Sequence, residues 1–234
     1  MPVTLHVWRV PRRAVVPAML RIAFTRRRRP GVRFVKFLGT ASGFGPADAD
    51  LTRYAAVTVS DGPVEWPGWD RLAVARARVD LALLGSRGRW SGREPFGPPG
   101  EPWDGMVLAL TRARLRPTRA PAFWRAIATV AREVDGTPGL LASFGIGEAP
   151  IGWQGTVSVW RGAAELTRFA YRQPEHRAVI VRTPTDGWYA EELFARFAVL
   201  GISGDRTVLS WVADAPAAGE QATHDRVVER GSER

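Results

Sequence analysis

Residues 3 to 10 (VTLHVWRV) alternate, with Val3, Leu5 and Val7 on one face and Thr4, His6 and Trp8 on the other, which is the period of a strand. From 14 to 28 the period lengthens. Val15, Val16, Met19, Leu20, Ala23 and Phe24 recur at helical spacing, and Arg26 to Arg29 follow at the C-terminal end, where cations suit the helix dipole. Pro30-Gly31 stops that helix. Val32 to Thr40 and Tyr54 to Ser60 read as two further strands around a glycine-rich loop, so the order is β-α-β-β.

The order then returns. Met106 to Arg114 is strand-like, Ala120 to Val134 is an amphipathic helix around Phe123, Ile127 and Val130, and Leu140 to Gly147 and Thr156 to Trp160 make two more strands. The joints echo each other as well: PGVRFVKFLGTASGFG from Pro30 and PGLLASFGIGEAPIGW from Pro138 both pass from Pro-Gly into a glycine-rich connection. A shift of about 108 residues is too long for a solenoid unit and predicts two copies of one α/β module. The fold class expected is α+β, two tandem ferredoxin-like (split β-α-β) modules forming a dimeric α/β-barrel-type core. Residues 1–104 would be the first module with its connecting loop, 105–212 the second, and 213–234 a disordered tail. The barrel interior would be lined by the strand faces opposite the helices, and Thr4, His6 and Trp8 are expected there.

Between the copies, residues 61 to 105 are rich in Pro, Gly and Trp around a short amphipathic stretch, Arg71 to Leu84. Trp90, Phe96 and Trp103 would expose large apolar area if this were a free linker, so Ser86 to Phe96 reads as an ordered loop packed on the body.

Composition narrows the chemistry. With 234 residues, 45 % of them hydrophobic, the chain can bury a sizeable core. It has neither a run of about 18 apolar residues nor a leader pattern, which predicts a soluble, cytoplasmic protein. The absence of cysteine removes disulfides, thiolate catalysis and Cys-type metal sites. Three histidines, His6, His176 and His224, leave little for a protein-only metal cage, so any metal would bring most of its own ligands, as in haem. The net charge is +10, with 32 arginines against the single Lys36 in an apolar strand. The arginines are spread along the chain, which argues against a dedicated nucleic-acid surface.

The densest chemistry lies between Ser158 and Phe197. A helix from about Gly162 buries Leu166, Phe169 and Ala170. Pro174 fits a first helical position and places His176 in the first turn of the next helix, on the face of Val179 and Ile180. An apolar surround and a helix N-terminus both disfavour imidazolium, leaving a neutral ring suited to a metal ligand or a general base, or simply to a core. Asp186 is expected to cap a third helix whose Ala190, Leu193, Phe194 and Phe197 face inward.

Ser158-Val-Trp160, Phe169-Ala-Tyr171, His176, Trp188-Tyr189, the run Glu191 to Phe197, the strand Lys36-Phe-Leu-Gly39 and the loop Ser86 to Phe96 together resemble the spheroidene monooxygenase-like family of acyclic carotenoid ketolases. The resemblance spans residues 3 to about 211. It implies a ferredoxin-like, dimeric α/β-barrel fold and oxidation of an apolar, carotenoid-like or other secondary-metabolite substrate with dioxygen as co-substrate. It further implies haem b as cofactor with His176 as axial ligand, while His6, on the strand face expected to line the barrel, is the rival ligand. Arg89, Arg93 or Lys36 would meet haem propionates or steer protons, with catalytic weight on His176, Lys36 and Arg89, while Trp8, Trp160, Tyr171 and Trp188 would wall the pocket.

Two other classes stay open at this point: a cofactor-free enzyme of the same superfamily with His176 as general base, and a non-catalytic apolar-ligand-binding protein. No dinucleotide fingerprint follows a strand, so reducing equivalents would come from an external electron donor or from the substrate itself. Peripheral membrane contact is compatible with the basic surface, and the assembly would be either a monomer with internal duplication or a homodimer.

Overall fold

A computed structural model describes residues 1–24, 29–43, 48–119, 136–148, 153–172 and 189–212. Eight strands run through them: β1 Val3–Arg9, β2 Val32–Ala41, β3 Ala49–Ser60, β4 Ala75–Gly88, β5 Val107–Leu115, β6 Leu140–Glu148, β7 Trp153–Trp160 and β8 Tyr189–Gly204. The described helices are α1 Val15–Phe24, α2 Pro67–Asp70 and α3 Ala163–Arg172, with short 3₁₀ turns at Arg12–Ala14, Pro117–Arg119 and Arg206–Leu209. The architecture is α+β.

The strands close into one barrel in the order β1-β3-β2-β6-β7-β5-β8-β4, and every pairing is antiparallel. Each half of the chain supplies four neighbouring strands, β4-β1-β3-β2 and β8-β5-β7-β6, in the same relative order, that of a split β-α-β unit. Closure leaves no unpaired sheet edge. The halves meet along two seams, β4 with β8 and β2 with β6.

Alternation decides which side chains fill the barrel. Val3, Leu5 and Val7 of β1 point inward together with Val57 and Val59, Val79 and Leu81, Leu108 and Leu110, and Phe197. This reverses the facing expected for β1. Thr4, His6 and Trp8 lie on the outer surface, where α1 and α2 cover Trp8, Tyr54, Trp66 and Trp69 in a separate apolar layer. The physical reason is volume: a closed eight-stranded interior is packed by aliphatic side chains, and the large aromatics need the space between sheet and helix.

A second correction concerns the expected helix from Asp186. Residues 189 to 204 form the longest strand, with Leu193, Ala195, Phe197 and Val199 inward, while Phe194 and Arg196 face out. An apolar run of this kind fits either period, and the backbone bonding of β8 to both β4 and β5 settles it. The stretch Arg71 to Leu84 is likewise mostly strand, with Ala77, Val79, Leu81 and Leu83 alternating into the core. The expected helix Ala120 to Val134 and the tail from 213 lie outside the described residues.

Both barrel ends are plugged. At one, the turn Arg206–Leu209 inserts Val208 and Leu209, and its Asp205 accepts a bond from Thr207 N at 2.9 Å. The inward Arg53 is satisfied there by Thr40 Oγ1 at 2.8 Å and Ala41 O at 3.0 Å. At the other end Trp90 and Phe96 enter the core from the loop after β4, as expected for that loop, whereas Trp103 stays partly exposed.

Candidate functional site

The outer face of the first half is crowded. Trp8 stacks on Trp69 at 5.2 Å between ring centroids and donates its indole N–H to Asp70 Oδ1 at 2.8 Å. Phe37 stacks on Trp69 at 5.5 Å and meets Trp66 edge-on at 4.9 Å. His6 lies parallel to Trp8 at 5.4 Å and is 4 % exposed. Among the described residues, neither ring nitrogen of His6 has a hydrogen-bond partner, and the same holds for Thr4 Oγ1, Thr58 Oγ1, Trp66 Nε1 and Trp69 Nε1. Burial, reinforced by the nearby Arg78, lowers the His6 pKa to about 4, so the ring is neutral.

Among the described residues, the outer face of the second half carries small side chains by contrast. Ala109 and Thr111 of β5, Ser143 and Gly147 of β6, and Thr156 and Ser158 of β7 line it, all half-buried. Thr111 and Thr156 join through their hydroxyls at 2.6 Å, and Trp160 donates to Ser158 Oγ at 2.9 Å. At the edge of the face Trp160 also packs against Phe169 of α3 at 5.0 Å. Small side chains on a sheet allow a planar group to approach the backbone closely.

A third constellation closes the barrel mouth. Inward positions of β2, β5, β6 and β8 carry Lys36, Arg112, Glu148 and Glu191 here instead of aliphatics. Lys36 Nζ bonds Glu148 Oε2 at 2.9 Å and Ser91 Oγ at 2.7 Å. Arg112, 3 % exposed, pairs with Glu148 at 3.2 Å and with Glu191, and its guanidinium lies 5.9 Å from the Trp90 ring. Glu191 also accepts the backbone N–H groups of Ser91 at 3.0 Å and Gly92 at 2.7 Å. Trp90, wholly buried, donates its indole N–H to Glu148. Burial of Glu191 favours its neutral form, but the Gly92 and Ser91 amides and Arg112 outweigh it and hold the carboxyl below its ordinary range.

The sequence-predicted residues are therefore dispersed. Lys36 belongs to the barrel mouth, and Arg89 and Arg93 stand exposed on the rim loop, Arg89 facing Glu94 at 3.8 Å. Trp160 lies on the outer face of the second half, and Tyr171 lies in α3. Trp8 and His6 are on the opposite half. His176 and Trp188 fall outside the described residues.

Arg112, Glu148 and Glu191 escaped the sequence reading. A signal existed for the first: Arg112 continues the inward alternation of Leu108 and Leu110, so a cation there has to meet carboxylates inside the barrel.

The chain is 34 % identical over 206 residues to the spheroidene monooxygenase of Rhodobacter capsulatus, covering 82 % of this chain and 83 % of that one. It is 32 % identical over 187 residues to the spheroidene monooxygenase of Rubrivivax gelatinosus, covering 75 % and 72 % respectively. Among solved structures, an aldoxime dehydratase aligns with a TM-score of 0.53 over 92 % of this chain and 88 % of that one, at 12 % identity, which speaks for the fold alone. No protein-family model matches. With a third of its residues shared across most of both lengths, the chain belongs to the spheroidene monooxygenase family of oxidoreductases.

Proposed function

We propose that this protein is a dioxygen-dependent monooxygenase acting on an extended apolar substrate of the carotenoid or related secondary-metabolite class, with haem b as its cofactor. The observation that carries the reading is the 34 % identity to a spheroidene monooxygenase over 82 % of the chain. The small side chains on the outer face of the second half, taken among the described residues, suit a planar macrocycle laid against the sheet. Ala109, Thr111, Gly147 and Thr156 offer it no bulky obstacle, and Trp160 bounds it. The crowded first-half face has no comparable surface, because Trp8, Phe37 and Trp69 already stack there.

His176 would be the axial ligand, and Tyr171 and Trp188 would complete an apolar wall with Trp160. When bound, haem supplies an iron that activates dioxygen. Arg89 and Arg93, exposed on the rim loop, would pair with propionate carboxylates, as guanidinium forks do. Lys36, tied to Glu148 and Ser91, would hold a proton donor at the barrel mouth. Reducing equivalents would come from an external donor.

The test is an absorption spectrum of purified protein reconstituted with haemin, followed by incubation with an acyclic carotenoid, dioxygen and a reductant. A Soret band, together with a product heavier by oxygen, is expected. His176→Ala should abolish the band, whereas His6→Ala should leave it. The converse result moves the ligand to His6. A protein that binds no haemin yet oxidises the polyene would remove haem from the reading and leave the oxygenase.

A further inference from the structure

Among the described residues, nothing covers the outer face of helix α1. Ala14 and Ala18 pack it onto the aromatic layer beneath, and Tyr54 OH reaches Val15 O at 3.5 Å. On the opposite side Val16, Met19 and Leu20 are 65 %, 52 % and 54 % exposed. Spacings of three and four place these side chains on one stripe. Arg12 and Arg13, both exposed, lie in the 3₁₀ turn that leads into the helix, Arg13 three residues before Val16. The backbone bonds Val10 N to Thr52 O and Val74 N to Arg9 O fix the foot of the helix between two strands, beside the exposed Leu51 and Val74.

Charge selects the occupant. Ten of the 33 basic residues, and none of the 23 acidic ones, precede Asp48. The remaining 23 basic and 23 acidic residues cancel, so the entire net charge of +10 belongs to the first 47 residues, which include α1 and the Arg26 to Arg29 run directly after it. An exposed apolar stripe preceded by two exposed arginines, in a stretch of chain that holds no acidic residue before Asp48, has the chemistry of an interfacial helix. We infer that α1 docks this protein onto the surface of an anionic lipid bilayer, with Val16, Met19 and Leu20 entering the headgroup–acyl boundary and Arg12 and Arg13 meeting lipid phosphates. This docking stands independently of the substrate and cofactor proposed above.

The experiment is co-sedimentation of the full chain with phosphatidylcholine vesicles containing about one-third phosphatidylglycerol, against phosphatidylcholine alone, at low and high salt. Binding to the anionic vesicles that weakens with salt is expected. The triple variant V16S/M19S/L20S should lose at least about tenfold in partitioning. Leu200→Ser, which removes an exposed apolar side chain from β8, should bind as the parent does. Should the triple variant fail to fold by circular dichroism, R12S/R13S carries the test and should lose the salt-sensitive part. The inference is overturned by a parent protein that ignores anionic vesicles at low salt, or by a folded triple variant that binds unchanged. It is equally overturned by a parent that does not bind vesicles but forms a dimer which the triple variant dissolves, since a second copy would then cover α1.

Discussion

His6 concentrates the cost of burying a polar group. Its imidazole is almost wholly enclosed, stacked on Trp8, and without a hydrogen-bond partner among the described residues. The unfolded chain protonates this histidine near pH 6.5, but the folded chain refuses the proton until about pH 4. A depressed histidine pKa means that the unfolded state binds more protons between those values, so stability falls as the pH drops from 6.5 to about 4 and then levels. The loss over that window is at most about 3 kcal/mol. Denaturant titrations of the parent and of His6→Phe at pH 7 and pH 4.5 check this. The variant should be markedly less acid-sensitive, because it has no imidazole to protonate, and parallel losses in both proteins would place the acid sensitivity elsewhere. Truncation to Ala at this position instead opens a cavity under Trp8 and should destabilise at every pH.

At the scale of elements, β8 and the loop after β4 act as a pair. Gly88 has φ +88°, and a Cβ there would collide with the carbonyl of Glu192, so the loop leaves β4 through a turn that only glycine fills without strain. The chain then inserts Trp90 into the barrel and lays the Ser91 and Gly92 amides on Glu191. Glu191→Gln keeps the shape but leaves Arg112 and the two amides facing a neutral acceptor. A loss of about 1–3 kcal/mol is expected, since bonds to charged groups are worth more than neutral ones. Limited proteolysis should cut Ser86 to Phe96 faster in the variant than in the parent, and equal rates would show that the Trp90 plug alone holds the loop. The carboxylate has a lowered pKa, so its contribution is present above the ordinary glutamate range and disappears as pH falls through the folded value.

Of this latch the loop Ser86 to Phe96 was legible as ordered and packed on the body, whereas β8 was not legible as a strand. From Tyr189 to Phe197 the spacing of Leu193, Phe194 and Phe197 fits a helix as well as alternation fits a strand, and the deciding bonds come from β4 and β5, over a hundred and about eighty positions earlier. Where punctuation is local the sequence was readable. Pro30-Gly31 and Pro138-Gly139 each precede a strand, and the β-α-β-β order of the first half stands as read. The facing of β1 was not readable, because its two faces carry similar amounts of apolar surface and only closure of the barrel decides between them. Arg112, Glu148 and Glu191 are separated by 36 to 79 positions and meet only after that closure.

Over the whole molecule, closure makes the two seams unequal. The β4–β8 seam runs through eleven paired positions from Ala77–Gly204 to Gly88–Leu193, whereas among the described residues β2 and β6 pair at Gly39–Gly147, Thr40–Ile146 and Ala41–Gly145. Backbone hydrogen bonds in the short seam are flanked by glycines, which add no side-chain packing and relinquish more chain entropy on folding. Its Gly145 sits so close to the neighbouring chain that an added Cβ would lie 3.1 Å from the Ala41 Cβ and collide with the Gly43 carbonyl. Local opening of a barrel follows its weakest pairing, so amides at Thr40, Ala41 and Ile146 should exchange with solvent well before those of Val79, Leu81 and Phe197. Hydrogen exchange read by mass spectrometry resolves the two seams. Gly145→Ala should widen the gap by forcing β2 away from β6, accelerating exchange there while leaving the β4–β8 amides at the rate set by global unfolding. Uniform acceleration in both seams would mean instead that the barrel opens only as one cooperative unit and that the short seam is no weaker than the long one.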